Sequence, residues 1–177
     1  MKKLIYLALT ILIVSCSSDV SQLNAQKLSK NEAMNVLTKW EGSWKGNAVL
    51  KKSIWIAEKV ELEGTTETSL ILSNKYLEIF DKNGINESKN IVRYDQISQL
   101  FNRWEFKSDG STSFWTGKWN KSKKTMTWNF IDFSNSGISG QIIEQFKSDE
   151  KIEIKVLVKD DEGNLLLEIE AISERTD

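Results

Sequence analysis

The sequence contains no histidine, no proline and a single cysteine. Without histidine there is no Ser-His-Asp or Cys-His catalysis, no His-ligated haem and no His-based zinc site. One cysteine excludes an intramolecular disulfide and any Cys cluster for zinc or iron–sulfur. No Gly-rich loop precedes a helix, so a phosphate-binding loop is missing as well. Neither charge dominates, with 24 basic and 25 acidic residues, so no basic excess points to nucleic acid. The lack of proline agrees with uninterrupted strands. What is present is a chain of 177 residues with seven tryptophans, the length of one domain with a real core.

The first segment reads as an address. Lys2 and Lys3 form a positive start, and residues 4–14 form an apolar run too short to span a bilayer. Residues 1–15 are therefore expected to be a signal peptide. Ile13-Val14-Ser15-Cys16 resembles a bacterial lipobox, and the only cysteine of the chain stands where such a motif places it. The resemblance implies cleavage before Cys16, diacylation of its thiol and acylation of the new amine. Several acyl chains, at about 0.8 kcal/mol per buried CH₂, make a durable anchor. The alternative is an ordinary signal peptide with an incidental cysteine. Loss of residues 1–15 leaves 22 basic residues against 25 acidic. Ser17, rather than Asp, follows the cysteine, which by the sorting rule of enteric bacteria implies the outer membrane, with the face open. Residues 16–30 then form a lipidated cysteine and polar tether, of which Leu23 and Leu28 are the residues able to pack on a domain. The domain itself is expected over 31–177.

One short helix is predicted after Ser29 or Asn31, with Glu32 in its first turn and Ala33, Met34, Val36 and Leu37 on its apolar face. After Gly42 the hydrophobic period changes to two. Strands are predicted over 44–50, 54–62, 68–72, 75–81, 91–94, 100–107, 113–119, 125–133, 142–146, 152–158 and 165–172. Short polar turns join them, including Asn83-Gly84 and Asp109-Gly110. Sequential neighbours should pair, giving an all-β, antiparallel up-and-down barrel of nine to eleven strands with one short N-terminal helix. A two-sheet sandwich is the alternative. The faces opposite the apolar ones carry Lys, Glu and Asp, so they face water rather than lipid.

Gly42-Ser43-Trp44, between the helix and the first strand, resembles the Gly-X-Trp signature of the calycins, the lipocalin-like small-ligand barrels. The resemblance implies barrel closure by Gly42, Trp44 and a terminal Arg175 stacked on the indole. Together with Arg93-Tyr94-Asp95, residues 104–110 (WEFKSDG) and residues 116–120 (TGKWN), it is similar to a bacterial lipocalin-like family of unknown function, over about residues 42–175. Some small-barrel relatives bind haem through a barrel histidine, an activity this chain lacks the residue for. Fatty-acid-binding barrels insert a helix pair after the first strand, for which residues 46–53 are too short.

The candidate ligand contacts are Tyr94, Asn102, Trp104, Phe106, Trp115, Trp119, Trp128 and Glu144. Asn102 shares the face of Leu100, Trp104 and Phe106, and Glu144 lies between Ile142 and Phe146, so both polar groups are expected inside. The same tryptophans also serve as plain filling of a narrow barrel. Asp160-Asp161-Glu162-Gly163-Asn164 lacks the spacing of a calcium loop and reads as a hairpin turn. No metal and no cofactor is expected. The leading expectation is a non-enzymatic, lipid-anchored cell-envelope barrel holding a small apolar or amphipathic ligand. Two others stand beside it. One is a packed barrel serving as a protein-interaction or envelope-assembly module. The other is an enzyme on a calycin scaffold using carboxylates such as Glu144 with Tyr94.

Overall fold

The structure, a computed structural model, describes residues 27–177. The signal peptide, Cys16 and Leu23 lie outside the described residues. Helix α1 (Lys30–Leu37) starts at Ser29, whose hydroxyl accepts from the Glu32 N–H at 3.2 Å. The Glu32 carboxylate accepts from the Ser29 N–H at 3.0 Å, completing a capping box. Ala33, Val36 and Leu37 fall on one helical face and are buried. A 3-10 turn (Thr38–Trp40) leads to Gly42.

Ten antiparallel strands follow: β1 (Gly42–Leu50), β2 (Val60–Ile71), β3 (Tyr76–Asn83), β4 (Glu87–Asp95) and β5 (Leu100–Lys107). They continue as β6 (Thr112–Asn120), β7 (Thr125–Phe130), β8 (Ser139–Phe146), β9 (Lys151–Lys159) and β10 (Leu165–Arg175). Each pairs with its sequence neighbours, and β1 pairs with β10, so the sheet closes into a barrel and leaves no edge. The sandwich alternative is excluded.

The 12-residue β2 replaces two shorter predicted strands. Residues 54–56 belong instead to the loop between β1 and β2, where the Trp55 N–H donates to the Leu166 carbonyl at 3.1 Å. The polar run Glu63 to Glu67 read as a break because it lacks large apolar residues, yet its even positions keep facing inward. Gly64 sits in the middle because β3 passes close: a β-carbon there would lie 2.9 Å from the Lys82 carbonyl oxygen. Nine-residue β4 is likewise longer than its apolar centre.

One end of the barrel is plugged. Helix α1 lies across it, and Leu37, Trp40, Trp44, Leu77, Val92, Phe101, Met126, Phe146 and Ile152 pack beneath. Trp40 meets Phe146 edge-on at 4.7 Å between ring centres, and Trp119 packs on both. The Leu28 side chain packs on this core, and its carbonyl accepts from the Tyr94 hydroxyl at 3.1 Å. The outer faces carry ion pairs such as Lys45–Glu63, Lys155–Glu168 and Lys147–Glu153, which belong in water.

Candidate functional site

Closure of the barrel is built from Gly42, Trp44 and Arg175. Gly42 has φ +119°, and a β-carbon there would collide with the Arg175 guanidinium. Trp44 is buried and donates its indole N–H to the Trp40 carbonyl at 2.8 Å. The Arg175 guanidinium lies 4.4 Å from the Trp44 ring centre. It also donates to the carbonyls of Lys39, Glu41 and Asp149, so one side chain ties the last strand to the helix end and to the β8–β9 turn.

The inward face of β5 corrects the sequence reading. Phe101 and Arg103 point inside, opposite Gly117 and Trp115 of β6. Leu100, Asn102, Trp104 and Phe106 therefore point outward, since neighbours on a strand alternate. Asn102, Trp104 and Phe106 do not line the interior. Trp104 packs at a tilt on Phe114, and Phe114 stacks with Phe133, along an outer groove that Phe106 also lines. The apolar count of the two faces was misleading, because Arg103 finds partners inside that offset its burial.

Those partners form the central feature of the barrel. Arg103 donates from Nε to Asn90 Oδ1 at 2.9 Å, and its Nη1 lies 3.4 Å from Glu144 Oε1. The Trp128 indole N–H donates to the other Glu144 oxygen at 3.0 Å. The fully buried Asn90 donates to Asp81 at 3.0 Å, and Asp81 also accepts from Thr66 at 2.7 Å. Arg103 further lies 5.8 Å from the centre of the Trp128 ring. Nearby, Glu105 accepts from Ser113, which in turn accepts from the Trp115 indole at 2.8 Å. One guanidinium thus faces Asp81 and Glu144, with Glu105 close enough to act on Asp81.

Burial pushes the Glu144 carboxyl above the usual carboxylate range, against the opposing pull of Arg103 and of the Trp128 hydrogen bond. Burial does the same to Asp81, again opposed by Arg103 and then by the Thr66 hydroxyl. Two carboxylates sharing one cation are not fully compensated, and the pair holds protons more tightly than it would in water.

The cluster borders a cavity of about 60 Å³ lined by Trp40, Trp44, Asp81, Arg103, Glu144 and Ser173, among others. That is room for about two waters at ~30 Å³ each. Above it, Gly46, Ala48, Gly64, Ala171 and Ser173 face the interior of β1, β2 and β10 and keep partial solvent exposure. The far end of the barrel is thus wetter and lined by smaller side chains than the plugged end.

The other candidates divide by position. Trp115 and Trp128 are inside and buried, beside the cluster. Trp119 is inside but belongs to the plug. Tyr94 packs on Phe101 at the plugged end and bonds to Leu28, whereas Glu144 bonds to Trp128 and Arg103. Tyr94 and Glu144 therefore answer to different partners. Sequence reasoning missed Asp81, Asn90 and Arg103. Each lies two residues from a buried apolar residue on its own strand (Ile79, Val92 and Phe101, respectively), and that alternation was the available signal. Among the described residues, no group of three His, Cys, Asp or Glu converges to hold a metal ion.

No family model matches the chain, and no curated protein matches it in sequence. Solved structures do match its shape. Rv2717c from M. tuberculosis superposes with a TM-score of 0.64 at 10% identity, over 82% of this chain and 98% of that one. The S-type phycobiliprotein lyase CPES from Guillardia theta gives 0.50 at 9% identity, over 85% and 98%. A DUF3598 protein of unknown function from Nostoc punctiforme gives 0.51 at 9% identity, over 79% of this chain and 49% of that one. Identities this low establish a common fold. The chain is a calycin-like, ten-stranded closed barrel with one short helix at its plugged end.

Proposed function

We propose that this protein is a non-enzymatic, lipid-anchored barrel of the bacterial cell envelope that binds a small amphipathic molecule inside. The observation that carries the binding reading is the Asp81–Arg103–Glu144 cluster, which stands on the border of a cavity instead of being sealed in apolar packing. A buried charge costs several kcal/mol unless paired, and here the carboxylates outnumber the guanidinium. A ligand head group that is cationic or donates hydrogen bonds supplies the missing compensation. The small side chains Gly46, Ala48, Gly64 and Ala171 mark the side of the barrel through which an apolar tail would have to pass. A cavity of about 60 Å³ admits a head group and no more, so a wholly apolar ligand is disfavoured against an amphipathic one. The lipobox-like Ile13-Val14-Ser15-Cys16 carries the anchor reading, and Ser17 after the cysteine carries the outer-membrane destination.

The test is a ligand series with one alkyl tail and an ammonium, hydroxyl or carboxylate head, followed by tryptophan fluorescence. Trp128 bonds Glu144, so a head group seated there alters its emission. Tighter binding of the ammonium member, weakened in Glu144→Gln, is the expected result. No response from any member removes the reading. A second reading, a packed barrel that docks another protein, draws support from the small cavity and from the outer aromatic groove of Trp104, Phe106, Phe114 and Phe133. Retention of a partner by Glu144→Gln, and its loss in Phe133→Ser, would favour that reading.

A further inference from the structure

The plugged end of the barrel carries a charge pattern that the ligand reading does not use. Lys27 and Lys30 flank the start of α1. Lys75 in the β2–β3 turn and Arg93 on β4 border the same depression as Lys30, together with Tyr76 and Gln96. Lys121, Lys123 and Lys124 form the β6–β7 turn, placed beside the helix by the Lys121–Glu32 contact of 3.8 Å. These seven cations lie with Glu32 and Asp95 on one side of this end, while the β8–β9 turn and the residues flanking β1 and β10 carry Asp149, Glu150, Glu41 and Asp177 beside Lys39 and Arg175. Among the described residues, Lys30, Lys75, Lys123 and Lys124 make no salt bridge and Arg93 lies over the Trp104 ring, whereas at the other end Lys51 and Lys59, though not Lys52, are paired with Glu168, Glu170 and Glu61.

Apolar tips stand among these cations. Ile97 in the β4–β5 turn is 96% exposed, and Leu72 in the β2–β3 turn is 68% exposed. A basic rim around apolar points is the pattern that suits a lipid surface.

We propose that this end of the barrel docks on a membrane of anionic phospholipid, with the lysines and Arg93 at the head groups and Ile97 and Leu72 dipping between them. The proposal rests on the lipid-anchor reading, which supplies the direction. Ten residues lie between Cys16 and Lys27, and the eleven links between their Cα atoms reach about 40 Å at most. The tether enters at the helix end, while strands of 8 or 9 residues hold the opposite loops roughly 30 Å away. Bringing the opposite end to the bilayer would stretch that path to about three quarters of its limit, so the anchor favours the helix end. The open end, with exposed Ile54, Trp55, Ile85 and Phe133, is then left toward solvent and ligand.

The test uses residues 17–177 without acyl chains. This stretch contains the whole closed barrel and its plug, hence a complete core. Binding is measured by co-sedimentation with vesicles of phosphatidylcholine alone or with about one third phosphatidylglycerol. We expect binding to the anionic vesicles only, falling as salt is raised. Each cation near the surface accounts for roughly fivefold in affinity, so Lys75→Gln/Lys123→Gln/Lys124→Gln should bind on the order of a hundredfold more weakly. Ile97→Asn should lose several-fold at every salt concentration. Lys51→Gln/Lys52→Gln/Lys59→Gln, at the far end, should bind like the parent, and circular dichroism checks that each variant is folded. Equal binding to both vesicle types, no binding at all, or loss confined to the far-end variant overturns the proposal. The anchor reading is tested separately by the mass of the mature wild-type and Cys16→Ser proteins, so either reading can fail without the other.

Discussion

Replacing Arg103 by methionine keeps the length of the side chain and removes the only cation facing Asp81 and Glu144. The guanidinium bonds Asn90 at 2.9 Å and approaches Glu144 at 3.4 Å, with both side chains of the ion pair about 10% exposed. At an effective dielectric constant near 20, a pair at this range interacts by about 4 kcal/mol. Removing one member of a buried pair costs about 3–5 kcal/mol, because the other charge is left uncompensated. Against a total stability of about 5–15 kcal/mol, that is a large fraction, and it corresponds to a fall in Tm on the order of 10 °C. Urea unfolding followed by tryptophan fluorescence measures it. The pH dependence identifies the cause. Both carboxyls are already held above their ordinary range by burial, and loss of Arg103 raises them further. A raised folded-state value contributes stability that is complete below the unfolded value, near 4, and is lost as pH rises through the folded value. The defect of Arg103→Met should therefore be small near pH 5 and grow toward pH 8. Adding Glu144→Gln should restore about 1–3 kcal/mol at pH 8, because it removes one of the stranded charges. A defect under about 1 kcal/mol at pH 8, or one equal at both pH values, would refute the assignment of Arg103 as the charge that the interior depends on.

Three more outcomes follow from the same geometry. Glu144→Gln alone should cost under about 1.5 kcal/mol at pH 7.5, since Trp128 can still donate to the amide oxygen and Arg103 keeps Asp81; its stability should also fall less than that of the parent between pH 5 and 8, read by urea midpoints. That comparison must be made as a difference. Surface carboxyls such as Asp95, Asp132 and Asp160 are held low by turn hydrogen bonds and lose stability in the other direction, as pH falls. Gly117→Ala would set a methyl 2.5 Å from Trp128 Cε3 and Cζ3, so the indole must shift away from Glu144; a loss of about 1–3 kcal/mol and altered tryptophan emission are expected. Gly42→Ala forces a left-handed residue against Arg175 and should cost about 1–3 kcal/mol in thermal unfolding, with Gly46→Ala, where a β-carbon meets nothing nearer than 3.5 Å, as the mild control.

The alternation of apolar residues from Gly42 onward and the turn residues between them were enough to predict a closed antiparallel meander, because local pattern specifies strands and short loops leave pairing between neighbours as the simple solution. The helix start was legible to within two residues, at Ser29 or Asn31, and the reciprocal Ser29–Glu32 hydrogen bonds decide it for Ser29. The second strand was not: Glu63 to Glu67 carry no apolar signal, and only the ladders to β1 and β3 keep them extended. The candidate site was half legible. Glu144 and Trp128 stood out as a polar group and an indole on apolar faces. Asp81, Asn90 and Arg103 did not, because each lies on a different strand and their mutual compensation exists only once β3, β4, β5 and β8 curve round one axis. That is also why Asn102, Trp104 and Phe106 were placed on the wrong side. In β5, whose outer face is the more apolar one, the sequence by itself determines the period but not the phase. Tertiary closure decides the phase, by giving Arg103 its carboxylates inside and leaving Trp104 its aromatic neighbours outside.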